Sequence, residues 1–170
     1  MIHEVTGDLL LSRAEVLVQG LAPNDDCKQG LARALRERFP SMYKDFRHWC
    51  HQENPAPGSL WSWRGVDAAG KPVRIVALLT QEPPSHKGGH PGKAHTEYHN
   101  HALHELRKLL ISDRPRSVAM PALATGVGRL TWEHVVPLLR TQLGDLQIPI
   151  FVYARYAPGV AAQEPIATAL

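Results

Sequence analysis

Two cysteines in 170 residues, Cys27 and Cys50, are too few for a disulfide scaffold and stand at no paired metal-ligand spacing. This excludes the small disulfide-rich secreted class and makes a reducing cytoplasm the expected home. No apolar run approaches the roughly 20 residues that cross a bilayer. The opening stretch, MIHEVTGDLL, carries acids early where a secretory leader has a basic segment and then an apolar one. Membrane-spanning and secreted classes therefore drop out, and no membrane partner is expected. Neither sign of charge dominates: 19 Lys and Arg against 16 Asp and Glu leave a formal net charge of +3 and a pI near 9.0. Such a balance permits an anionic ligand without requiring one. Internal repeats and long linkers are missing too, which excludes solenoids. What is present is a globular composition, 44% hydrophobic and 21% charged, of a size suited to a single buried core.

Strand-like and helix-like stretches alternate. Residues 2–6 and 15–19 read as strands, followed by a polar loop at 22–30. Leu31, Ala34, Leu35 and Phe39 then form an apolar stripe at helical spacing that Pro40 ends. A second helix over 41–50 would bury Met42, Phe46 and either Trp49 or Cys50. SLWSWRG and VRIVALLT read as strands, the latter covered on both faces because six of its eight residues are apolar. Residues 82–93, with three Pro and three Gly, are a loop long enough to be suspected of function. A helix over 95–111, a strand over 117–121, a Gly-containing loop over 122–130, a helix from Trp132 to Leu143 and a strand over 149–154 complete the order. This alternation predicts a mixed sheet between helical layers. The Ala- and Pro-rich residues 157–170 form a tail that composition leaves either loose or packed.

In open α/β sheets, ligands lie beyond the carboxyl ends of strands, where helix N-termini favour negative charge. Two loops have that form, 22–30 and 122–130; in the second, Gly126 and Gly128 let the backbone approach a ligand and Thr125 adds a hydroxyl. Asp8 just after the first strand, the polar loop before the first helix, and MPALATGVGRLTWEHV after a late strand together resemble a macrodomain. That is a three-layer α/β/α fold with a central mixed sheet that binds ADP-ribose. The resemblance spans about residues 1–156. GDLL, Asp25-Asp26-Cys27-Lys28, LLTQ followed by Ser85-His86-Lys87, and MPALATGVGRLTWE resemble, in order, the terminal ADP-ribose protein glycohydrolase branch and its DNA-directed antitoxin relatives.

The resemblance implies roles residue by residue. Asp8 matches the acid that accepts from the adenine amino group, and Leu9 supplies a backbone contact beside it. Thr125, Gly126, Val127 and Gly128, flanked by Ala124 and Arg129, match the loop holding the diphosphate and distal ribose. Asn24, Asp25, Cys27, Gly30 and Leu31 match the loop beside that ribose, and Tyr153 and Ala154 fall near the adenine edge. The implied function is binding of ADP-ribose and its hydrolysis from a modified protein or nucleic acid, with no metal or other cofactor. The alternative is a reader that binds and turns nothing over.

Departures from the branch bear on the chemistry. Its glycine run before the first helix is shortened here to Gln29-Gly30-Leu31-Ala32, and no aspartate stands near Gly128. Where relatives place a lysine nucleophile, this chain has Gln81. A carboxamide offers no nucleophilic nitrogen, so a covalent lysine route requires Lys87 or Lys93 from the adjacent loop to move in. Otherwise water attacks directly, with Asp25 or Asp26 as general base or the ligand's own phosphate positioning the water.

Six histidines crowd residues 86–104, and His95 and His99 stand at i, i+4 as zinc ligands on helices do. Glu97 falls two residues after His95, so this is not the His-Glu-x-x-His arrangement, and no third ligand stands at a fixed spacing. A solvated, partly basic helix face is the expectation, with a metal-dependent hydrolase as the outsider and His86 as a ligand contact. Trp61, Trp63 and Trp132 are expected in the core. Arg33, Arg36, Arg38, Lys44 and Arg47 are expected as solvated surface; a nucleic-acid backbone could meet them, but the sequence shows no interleaved exposed aromatics.

Overall fold

Alternate residues of one strand show how the layers arise. In β4 (Pro72–Leu79), Val76 and Leu78 pack into the larger core cluster, while Ile75, Ala77 and Leu79 pack on the opposite face. A strand's period of two therefore sends apolar side chains into both helical layers, and this continuous apolar run has to be central. The computed structural model describes residues 1–123 and 131–165.

Six strands form one sheet in the order β1-β6-β5-β2-β4-β3. They are β1 (Ile2–Gly7), β2 (Val16–Leu21), β3 (Leu60–Val66), β4, β5 (Val118–Pro121) and β6 (Ile150–Tyr156). All neighbours run parallel except β3, which joins β4 in an antiparallel hairpin at the sheet edge. Helices α1 (Gly30–Arg38) and α2 (Pro40–Glu53) cover one face through Leu35, Met42, Phe46 and Cys50. Helices α3 (Thr96–Asp113) and α4 (Trp132–Leu143) cover the other through Leu103, Leu106, Leu110, Val135, Leu139 and Leu143. Each such side chain, once fully buried, contributes about 1.5–3 kcal/mol. The expected three-layer α/β/α architecture with a mixed sheet is what forms.

The tryptophans are packing residues, as expected. Trp61 lies edge-on to Phe46 at 5.3 Å, Trp63 packs against Phe39 while its indole N–H donates to Asp45, and Trp132 lies against the α3/α4 core. Pro40 both ends α1 and opens α2: it occupies the first turn of α2, where its missing N–H has no intrahelical acceptor to lose.

One sequence expectation changes, and one left open is decided. The histidine helix is not a uniformly solvated face, because His99 is fully buried on the inner side of α3 with Ala102, Leu103 and Leu106. Its Nδ1 bonds the His95 carbonyl oxygen at 3.1 Å, and its Nε2 has no partner among the described residues. The tail, as far as Pro165, is packed and not loose. Gly7 abuts Ala162 so closely that a Cβ there would come within 2.8 Å of it, and Glu164 accepts from the hydroxyls of Ser12 and Tyr153. Among the described residues no helix is long and apolar enough to cross a membrane.

Candidate functional site

Strands β2, β4 and β5 run parallel, so their carboxyl ends share one rim. After β2 the chain leaves for α1 and α2 on one face; after β5 it leaves for α4 on the other. The two departures diverge between adjacent strands, which is where open α/β sheets form their ligand crevice. A cavity of about 210 Å³ lies there. Its floor includes Gln19, Gly20 and Gln81, one wall is Asp25, Gly30 and Leu31, and Pro121 to Leu123 close the β5 side. Ala124, Thr125, Gly126, Val127, Gly128 and Arg129, predicted to cradle the diphosphate, lie outside the described residues.

The loop after β2 is built around one carboxylate. Asp25 Oδ2 accepts from the Ala22 N–H at 3.0 Å and Oδ1 from the Cys27 N–H at 2.9 Å. Asn24 and Cys27 adopt positive φ of 58° and 54°, conformations such a polar tether stabilises. Burial pushes the Asp25 carboxyl up; the two N–H groups oppose that shift, and neighbouring Asp26 adds to it. Cys27 is buried beneath the loop, and burial raises its thiol. Gly30 follows at φ 57° and starts α1, whose first turn receives no side-chain cap and holds no acid. Gly30, Leu31 and Ala32 of that first turn line the cavity, and first-turn N–H groups, which have no intrahelical acceptor, suit an anion.

Two buried side-chain polar atoms near the carboxyl ends of β2 and β4 have no partner among the described residues. Gln19 is 1% exposed; its amide N–H₂ donates weakly to the Met42 sulfur at 3.6 Å, while its Oε1 accepts from nothing among the described residues. Thr80 Oγ1 is likewise buried without a partner, and a Cβ on Gly20 would come within 3.2 Å of it. Such orphans are uncommon in native folds, and of the two residues Gln19 lines the cavity. Gln19 was missed in the sequence reading, although a polar residue at an inward position of VLVQGL was a usable signal.

The other expected residues are distributed unevenly. Gln81 reaches the cavity, with its Nε2 donating to the Gly92 carbonyl at 3.2 Å; it anchors the 82–93 loop. That loop returns over the crevice, where His90 meets Gln29 at 3.5 Å. Lys87 and Asn24 line a second, larger cavity instead, which shares only Asp25, Asp26 and Lys28 with the first. Asp8, Leu9, Tyr153 and Ala154 gather at the ends of β1 and β6 and line neither cavity. Leu9 and Tyr153 are buried in one small cluster against Leu31, which connects that corner to the crevice wall. Asp8 accepts from the Leu10 N–H as a cap and from the Gly159 N–H, and burial with the Glu164 contact raises the Tyr153 hydroxyl. His95 and His99 do not face one point: His95 Nε2 pairs with Glu82 at 2.8 Å, and His99 turns into the core. Among the described residues, no three His, Cys, Asp or Glu side chains gather as a metal set.

Comparison with known structures identifies the architecture. The macrodomain of Mycobacterium tuberculosis DarG superposes with a TM-score of 0.76 at 24% identity, over 94% of this chain and 99% of that one. The fold is a macrodomain. Thermosipho africanus DarTG in complex with ADP-ribose matches it with the same TM-score at 21% identity, over 93% of this chain and 42% of that one. In sequence, this macrodomain is 26% identical over 155 residues to the DNA ADP-ribosyl glycohydrolase of Thermus aquaticus, covering 90% of this chain and 41% of the relative. It thus spans about two fifths of that curated relative's length. No family model matches the chain.

Proposed function

We propose that this macrodomain binds ADP-ribose across the crevice between β2 and β5 and hydrolyses it from a modified nucleic acid in the cytoplasm. One observation carries the binding half: the uncapped first turn of α1 and the buried Gln19, whose Oε1 has no partner among the described residues, both line one cavity at the sheet's switch point. The first suits a phosphate, the second a sugar hydroxyl. The names of its relatives, a DNA ADP-ribosyl glycohydrolase and a DarTG complex with ADP-ribose, support both the ligand and the modified target. Its two cysteines, unpaired and buried, suit a reducing compartment.

Asp8, Leu9, Tyr153 and Ala154 then serve the adenine end; Asn24, Cys27, Gly30 and Leu31 flank the distal ribose; residues 124–129 complete the phosphate cradle. In the reaction, a water oxygen bonds to the anomeric carbon as the bond from that carbon to the target breaks. The electron pair leaves with the target atom, which takes up a proton, while Asp25 receives the proton of the attacking water. Each Asp25 oxygen holds one backbone N–H and keeps a further lone pair, and burial raises its carboxyl toward the range where a base is effective. Gln81 orients the loop above the ribose, and Lys87 approaches from the second cavity.

Gln81 also favours a second reading, a reader that binds and releases, because its amide cannot form the covalent link a lysine can. Incubation with ADP-ribosylated single-stranded DNA and with ADP-ribosylated protein, each with and without chelator, separates the two. Release of ADP-ribose from DNA, unaffected by chelator, is expected. Tight binding without release assigns the reader, and chelator-sensitive release overturns the metal-free mechanism.

A further inference from the structure

Beside the crevice lies a second cavity of about 810 Å³, within the roughly 300–1,000 Å³ typical of ligand sites. It shares Asp25, Asp26 and Lys28 with the first, so the two adjoin at the loop placed next to the distal ribose. Whatever is attached to that ribose therefore has this space to enter. Four lysines and arginines, Lys28, Arg36, Arg47 and Lys87, line it against two aspartates, one of them buried and tied to backbone.

The basic residues of α1 and α2, expected as plain solvated surface, are organised around an aromatic ring. Two guanidinium groups approach the Tyr43 ring, that of Arg36 at 3.9 Å and that of Arg47 at 5.9 Å from its centroid. Arg36 is fixed there, because its Nη1 donates to the Asp26 carbonyl oxygen at 2.6 Å. Arg47 and Lys87 are unspent: among the described residues neither pairs with a carboxylate. An aromatic ring interleaved with cations is how single strands are held, bases stacking on π-faces and guanidinium planes while phosphates meet the charge. An acidic peptide would use the charge but would have no use for the stacking surface.

We propose that this second cavity is a subsite for single-stranded nucleic acid, taking the nucleotides that flank the ADP-ribosylated one, with Tyr43 and Arg36 as the stacking surface and Arg47 as a phosphate contact. The proposal rests on ADP-ribose occupying the first cavity, and it adds how the target strand is chosen.

The test uses the full chain and a fluorescent, unmodified single-stranded DNA decamer, read by anisotropy, with calorimetry of free ADP-ribose alongside. Tyr43→Ala and Arg47→Glu are each expected to weaken decamer binding about tenfold or more while leaving ADP-ribose affinity unchanged; the exposed Arg47→Glu also leaves the melting temperature unchanged, whereas Tyr43→Ala lowers it through lost packing on the α2 core. Affinity should also fall with added salt, by roughly 0.7 log units per decade of salt for each phosphate neutralised. Unchanged decamer binding in both variants overturns the subsite. Equal binding of a duplex decamer overturns single-strand stacking, and displacement by a polyglutamate peptide as effective as that by unlabelled decamer assigns the surface to protein. Failure of ADP-ribose itself to bind is a separate outcome that removes the reading of the first cavity.

Discussion

Asp8 and Gly159 lie 151 residues apart, yet Asp8 Oδ2 accepts a hydrogen bond from the Gly159 N–H at 3.1 Å. The same carboxylate caps the short turn at Leu9–Leu11 through the Leu10 N–H. One side chain thus joins the end of β1 to the segment following β6, at the corner assigned to adenine. Asp8→Ala is expected to lower stability by about 1 kcal/mol for the lost cap, with a further loss for the released segment. Thermal melting reads the first effect, and calorimetry should show weaker ADP-ribose binding with AMP affected in parallel.

Gln81 donates to the Gly92 carbonyl, and its amide offers no nucleophile for a covalent intermediate. No protein-bound ADP-ribose should accumulate during turnover, and intact-mass spectrometry of quenched reactions checks this. Gln81→Ala releases the 82–93 loop and is expected to lower kcat about tenfold, leaving ADP-ribose affinity within twofold. A mass adduct on Lys87 or Lys93 would mean that a loop lysine does enter.

His99 carries a pH signature. Burial lowers its pKa below the ordinary 6.5, so the folded chain holds it neutral while the unfolded chain accepts a proton more readily. Its contribution to stability is complete above about pH 6.5 and is lost as pH falls from there through the depressed folded value, by at most about 1.4 kcal/mol per pH unit. Urea midpoints at pH 7.5 and 5.5 should therefore fall further apart for the wild type than for His99→Leu. Equal pH dependence would place His99 in contact with solvent.

The alternation of apolar runs made the element order readable, and the Pro- and Gly-rich 82–93 stretch read as the loop that does span the crevice. Helix α4 falls where its pattern predicted, from Trp132 to Leu143, even with Pro137 within it. Long-range contacts were what the sequence concealed. His99 is polar by type, and only the packing of α3 on the sheet reveals that its position belongs to the buried face. Tyr43 is no sign of a cationic stack until α1 and α2 bring Arg36 and Arg47 to its ring. Asp25 was chosen for its acidity, whereas its first task is to fold a loop with two positive-φ residues. The tail looked optional by composition; Glu164 and Gly159 find their partners only because β1 and β6 lie side by side.

Calorimetry of ADP-ribose and AMP against the wild type and Gln19→Leu probes the crevice most directly. Leucine fits an apolar strand and removes the unpartnered oxygen while leaving the helix N-terminus in place. ADP-ribose should bind the wild type at least tenfold more tightly than AMP, and Gln19→Leu should erase most of that advantage without changing AMP affinity. Equal affinity for the two nucleotides, or an advantage untouched by Gln19→Leu, would contradict a distal ribose seated between β2 and β5.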